Sequence, residues 1–118
     1  MRIGQLSEQF FFSGQIEPEH VPMLAEHGFK TIICNRPDGE DWGQPTAAEI
    51  AAAAEEHRMG FIHIPVVSGG ITPQNVQDFN EQRNNLEGPA LLYCRSGARC
   101  AALWEIAEGQ RLDSETRN

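Results

Sequence analysis

Short aliphatic and β-branched runs alternate with helix-length segments along this chain, and that alternation constrains the fold more than any other feature. FKTIIC (29–34), FIHIPV (61–66) and PALLY (89–93) read as buried strands. A helix follows Gln15, with Pro18 in its first turn, Val21, Leu24 and Ala25 on one face and Gly28 as the stop. A second is opened by Thr46 with Glu49 as a capping box, carries Ile50, Ala53, Ala54 and His57 on one face and ends at Gly60. Thr72-Pro73 opens a third, with Val76, Phe79, Arg83 and Leu86 along one side and Gly88 closing it. A last helix spans about Ala98 to Glu108. Ahead of them all, Ile3–Leu6 and Phe10–Ser13 suit a hairpin turned by Ser7-Glu8-Gln9. Strands separated by helices need crossover connections, so the pattern predicts an α/β fold: three layers, a mostly parallel sheet flanked by helices.

The chain has 118 residues, which suits one domain over 1–109 with a polar, frayed tail over 110–118. A chain of this size buries roughly two-thirds of its unfolded surface and needs no disulfide or structural metal. Nine Lys+Arg against 17 Asp+Glu give a net charge of -8, which argues against nucleic acid as a partner, since phosphate neutralisation needs clustered cations. Lysine occurs once, at Lys30, which argues against a polybasic membrane anchor. The first residues, MRIGQLSEQFFFSG, lack the apolar core of a secretory signal, and no run approaches transmembrane length. Three cysteines, Cys34, Cys94 and Cys100, follow no disulfide-scaffold spacing. These features favour a reducing, cytoplasmic setting.

In a parallel sheet the ligand site lies beyond the carboxyl ends of the strands. Three loops leave those ends: 35–45, 67–72 and 94–99. The last is the most informative. Cys94 ends a strand, and Arg95, Ser96, Gly97 and Ala98 lead directly into a helix that begins with Arg99 and Cys100. Backbone N–H groups and the positive end of the helix dipole converge there, and a guanidinium adds a fixed, fork-shaped charge. Such a field lowers a cysteine pKa from about 8.5 to between about 3.5 and 7.5. One piece of backbone therefore supplies both a nucleophile, Cys94, and an anion-binding loop, Arg95 to Arg99.

A cysteine, a glycine-containing loop and an arginine at a strand-to-helix turn resemble cysteine-dependent phosphatases and rhodanese sulfurtransferases. Four further segments match in order: Phe12-Ser13-Gly14-Gln15, Asn35-Arg36-Pro37-Asp38-Gly39-Glu40, His63-Ile64-Pro65-Val66 and Gly70-Ile71-Thr72-Pro73. Over about residues 1–108 the chain resembles the bacterial protein-tyrosine-phosphatase-like domain found alone or joined to beta-lactamase-like hydrolases and sulfide-oxidising enzymes. The resemblance implies a phosphatase-like fold, Cys94 as nucleophile, Arg99 as anion-binding residue, and functional coupling to a metallo-beta-lactamase-like or sulfide-oxidising enzyme.

The departures bear on the chemistry. Protein-tyrosine phosphatases place five residues between Cys and Arg; this chain has four, as rhodaneses do. The carboxylate expected shortly after Ile64-Pro65-Val66 is replaced by Val67-Ser68-Gly69-Gly70. Asp38 is the substitute candidate for general acid, with Glu40 and Asp41 behind it; a solvated acidic turn is the plainer account of all three. Where phosphatases carry Ser or Thr after the arginine, this chain has Cys100, either a redox partner for Cys94 or a small packing residue. Cys34 reads as structural. The four histidines show no metal-ligand spacing, and no cofactor is implied. Trp42 is either a pocket wall or a packing anchor.

The expected function is that of a cysteine-thiolate enzyme acting on a small-molecule or phosphoprotein anionic substrate. The first reading is a phosphatase-like hydrolase working through a cysteinyl-phosphate. Sulfur transfer through a Cys94 persulfide is the alternative, and a non-catalytic anion-binding or redox-sensing module using Cys94 and Cys100 is the third.

Overall fold

The structure, a computed structural model, describes residues 1–116. Five strands form one sheet: β1 (Ile3–Gln5), β2 (Phe10–Ser13), β3 (Thr31–Cys34), β4 (Gly60–His63) and β5 (Ala90–Tyr93), in the spatial order β1-β2-β5-β3-β4. The expected hairpin is the antiparallel pair β1–β2; every other pairing is parallel. Four helices cover the sheet: α1 (Val21–Glu26), α2 (Ala47–Glu56), α3 (Pro73–Arg83) and α4 (Ala98–Thr116). No helix among the described residues is long and apolar enough to cross a membrane.

Two cores, one on each face, explain why the strand sequences do not alternate polar and apolar: both faces of a parallel sheet are buried. Residues from α1 and α2 pack with Ile32, Cys34, Leu91 and Tyr93. Residues from α3 and α4 pack with Phe10, Ile33, Leu92 and Cys94. The run of three phenylalanines is divided accordingly, Phe10 and Phe12 to the second face and Phe11 to the first. Successive strand residues point to opposite faces, so Cys94 falls on the face where α4 begins.

Several element ends differ from the sequence expectation. The first helix starts as a 3-10 turn over Pro18–His20. β4 stops at His63 because Pro65 has no N–H for the ladder; Ile64 N and Val66 N still bond to Cys34 O and Asn35 O at 2.9 and 3.0 Å. α2 ends before Arg58, which takes the left-handed conformation at φ 58, while Gly60 opens β4 where a Cβ would approach Thr31 Oγ1 to 3.3 Å. α3 ends at Arg83, short of Leu86 and Gly88. Its cap is a reciprocal box between Thr72 and Asn75, with bonds of 2.9 and 3.1 Å. The largest correction is at the end of the chain: of residues 110–118, expected as a frayed tail, 110–116 continue α4 to Thr116, and 117–118 lie outside the described residues. Arg111 explains the extension, since it pairs along the helix with Glu108 and, at 2.6 Å, with Glu115.

Candidate active site

The loop after β5 is folded by contacts that require its sequence. Cys94 N donates to Ser13 O at 3.4 Å, and Gln15 N to Arg95 O at 3.1 Å, so the end of β2 holds the loop down. Gly14 permits this approach, because a Cβ there would lie 3.0 Å from Arg95 O. Gly97 has φ 95, and a Cβ on it would lie 3.0 Å from the Phe12 ring. Only glycine satisfies both demands. The resulting turn aims Gly97 N at Cys94 Sγ, 3.1 Å away.

Around that sulfur the groups are donors. The Cys100 thiol is the strongest influence, and the backbone N–H groups of Cys100, Gly97 and Arg99 add to it; together they outweigh burial and lower the Cys94 pKa to about 5. Cys100 is fully buried, and burial raises its own pKa well above the usual value, so it remains a protonated donor in the first turn of α4. All three cysteines are free thiols in the structure. Ser96 is exposed, and its Oγ accepts from Ala98 N at 3.3 Å, bracing the turn into the helix.

Arg99 and the acidic loop form a second layer. Arg99 Nη1 and Nη2 donate to the two carboxylate oxygens of Glu40, both at 2.8 Å, and Nη1 also donates to Val66 O at 2.9 Å. The Arg99 hydrogen bonds hold the Glu40 carboxyl down at about 2. Arg95 extends into solvent and reaches Asp41 at 3.3 Å. Beside Arg99, a groove of about 450 Å³ is lined by Ser68, Gly69, Ile71, Ala98 and Ala102. The three loops 35–45, 67–72 and 94–99 therefore meet at one sheet edge.

Two residues are placed differently from expectation. Asp38, the first candidate for general acid, is engaged at a helix start: its Oδ1 accepts from Ala47 N at 2.8 Å and so caps α2, alongside Thr46 Oγ1, which accepts from Glu49 N at 3.1 Å. The free N–H groups at a helix start attract a carboxylate, and the turn Pro37–Gln44 delivers this one there. Trp42 neither walls a pocket nor anchors packing; it is fully exposed at the tip of the acidic loop. The residue that sequence reasoning missed is Arg36. It is 2% exposed and donates to Gln15, Glu40 and Asp41. Its signal was its position, two residues after a buried strand in a segment with three acidic residues, where a buried cation would find partners. Among the described residues no group of three His, Cys, Asp or Glu side chains is arranged to hold a metal ion.

The profile of the family described as "Beta-lactamase hydrolase-like protein, phosphatase-like domain" matches residues 2–111. A beta-lactamase hydrolase-like protein of Agrobacterium fabrum is 33% identical over 98% of this chain, and one from Xylella fastidiosa is 33% identical over 92%. The chain spans only 28% and 25% of those two relatives. Among solved structures, a candidate phosphatase from Neisseria meningitidis is 40% identical, with a TM-score of 0.81 over 88% of this chain and 74% of that one. A candidate phosphatase from Shewanella putrefaciens, at 20% identity, shares the fold with a TM-score of 0.78 over 92% of this chain and 72% of its own.

Proposed function

The chain belongs to the phosphatase-like domain family of beta-lactamase hydrolase-like proteins, and from that premise we propose that it is a cysteine-dependent hydrolase of phosphate monoesters. The observation that carries this reading is the Cys94 sulfur: Gly97 N donates to it at 3.1 Å in a loop that leads into α4 and Arg99, and the donors around it lower its pKa. The thiolate attacks phosphorus, forming an S–P bond as the P–O bond to the leaving group breaks. Water then attacks the cysteinyl-phosphate, releasing phosphate and restoring the thiolate, with its proton passing to solvent. The loop amides, fixed before substrate arrives, bind the oxygens on which charge develops.

Neither Asp38 nor Glu40 is held as a proton donor to a leaving group. Asp38 caps a helix, and Glu40 is held ionised by Arg99. General acid catalysis is typically worth about 10²- to 10⁴-fold, so esters whose leaving oxygen departs readily as an anion, such as aryl phosphates, are the favoured substrates. Three free thiols suit a reducing, cytoplasmic compartment.

Sulfur transfer is the second reading, favoured by two observations. Only four residues separate Cys94 from Arg99, and Glu40 already takes both terminal nitrogens of that arginine. A tight, charge-balanced cradle suits one sulfur atom on Cys94 better than a dianion. One experiment separates the readings: turnover of p-nitrophenyl phosphate beside intact mass after thiosulfate or glutathione persulfide, for wild type and Cys94→Ser. Phosphate release that needs Cys94, without a sulfur adduct, is the expected result. A Cys94-dependent gain of one sulfur atom without phosphatase turnover would make the chain a sulfurtransferase. Neither signal would leave a binding or redox module.

A further inference from the structure

We propose that Arg36 is the positioning residue of this site: its buried guanidinium holds Glu40 and Asp41 where they orient Arg99 and Arg95, the two arginines of the Cys94 loop. The proposal rests on the reading above only in taking Cys94 as the reacting group.

Arg36 follows Asn35 beyond the end of β3, and its place is fixed from two strands. Its carbonyl accepts from the Cys34 thiol at 3.3 Å and lies 3.0 Å from His63 Nε2 at the end of β4. A buried cation is costly unless its donors are matched, and three of its nitrogens are matched in three directions. Nε donates to Glu40 Oε1 at 2.9 Å, Nη1 to Gln15 Oε1 at 2.8 Å and Nη2 to Asp41 Oδ2 at 2.6 Å. The Glu40 oxygen bonded to Arg36 also accepts from Arg99 Nη2 at 2.8 Å, so one atom bridges the buried guanidinium and the anion-binding one. Asp41 Oδ2 bridges in the same way to Arg95 Nε at 3.3 Å. A rigid fork is required here, since a single ammonium cannot reach Gln15, Glu40 and Asp41 together.

A purely structural clamp would show the same bonds, so the test must read the field at the sulfur. Cys94 is alkylated with iodoacetate, an anion, and with iodoacetamide, which is neutral, and modification is assigned by peptide mass. In both reactions the thiolate displaces iodide; burial and thiolate fraction affect both rates alike. Their ratio reports how well the loop and Arg99 receive an anion. Arg36→Lys keeps the charge and loses the fork, and the ratio is expected to fall about tenfold, the scale of one charge-assisted hydrogen bond. Glu40→Asp, at a more exposed side chain, keeps the charge but is too short to span both arginines, and it should cause a similar fall. The double variant should fall no further, because both changes break one relay. An unchanged ratio in Glu40→Asp, or falls that multiply in the double variant, would overturn the proposal even if Arg36→Lys failed to fold. Loss of thermal stability with a constant ratio would mean a clamp only. Wild type lacking phosphatase turnover would sink the functional reading while leaving this measurement intact.

Discussion

Cys34 and Cys94 make an informative pair. They end neighbouring parallel strands at the same sheet edge, one position apart: Cys34 lies opposite Tyr93 in the β3–β5 register, and Cys94 follows Tyr93. Both are covered, at 2% and 0% exposure. That one-residue offset sends them to opposite faces, and their chemistry diverges. Cys34 meets the α1–α2 core and donates a hydrogen bond to a carbonyl, Arg36 O; burial pushes its pKa up. Cys94 meets the start of α4, where N–H groups and the Cys100 thiol lower its pKa to about 5. Depth does not distinguish them. What separates them is the set of hydrogen-bond donors that meets Cys94, the Cys100 thiol first and the loop N–H groups after it, against burial that prevails at Cys34.

The largest expected effect is the direct reading of that contrast. At pH 7 a lowered pKa favours the thiolate at Cys94 while burial keeps Cys34 protonated, so iodoacetamide should modify Cys94 the faster of the two, by about tenfold or more. Similar burial keeps access from producing such a ratio by itself. The Cys94 rate should reach half its plateau near pH 5 and stay flat to pH 9, whereas Cys34 should still be rising there. Equal rates at pH 7 would break the comparison. Folding stability should follow the same logic. A group with a lowered folded-state pKa favours the native state above that pKa, so stability should climb from about pH 5 toward 9.0 in wild type and lose the climb in Cys94→Ser.

A smaller effect isolates the strongest single contributor. Cys100→Ala removes the thiol donor but keeps the backbone N–H groups, and the Cys94 midpoint should rise by about one to two pH units, the value of a hydrogen bond to a charged group. Cys100→Ser restores a donor and should bring the midpoint back. If Cys100→Ala leaves the midpoint near 5, the backbone alone activates the sulfur.

Much of this contrast was legible in the sequence, and the unread part has a physical reason. The strand-to-helix turn at 94–99, its glycine and its arginine are local signals, so the donor cage could be inferred from spacing. The alternation of runs and helices likewise led to the sheet and to three loops on one edge. The partners of those loops were not legible, because a run such as Asp38-Gly39-Glu40-Asp41 offers several carboxylates at similar reach. Which one meets Arg99 depends on how the turn closes and on where α2 begins. Arg36 was missed for the same reason: its position in an acidic segment was visible, but its role arises from three contacts at separations of 4, 5 and 21 residues. The extension of α4 was missed because its polar surface residues carry no apolar period, only charge pairs along one helix.

The smallest expected effect tests the residue on which sequence and structure part. Asp38 Oδ1 caps α2 through Ala47 N, and its charge is a minor cause of the raised Cys34 pKa. Asp38→Asn keeps an oxygen acceptor and removes the charge. Stability should therefore fall only by about 0.3–1 kcal/mol, the value of a carboxylate at a helix start. Alkylation of Cys34 should quicken slightly, because a nearby negative charge no longer opposes its ionisation. Cys94 alkylation and any phosphate-ester turnover should stay as in wild type. A tenfold or greater loss of turnover with stability intact would return Asp38 to the role of general acid. It would then require the 38–41 turn to leave the helix and swing toward Cys94 when substrate binds, releasing Ala47 N as it did so.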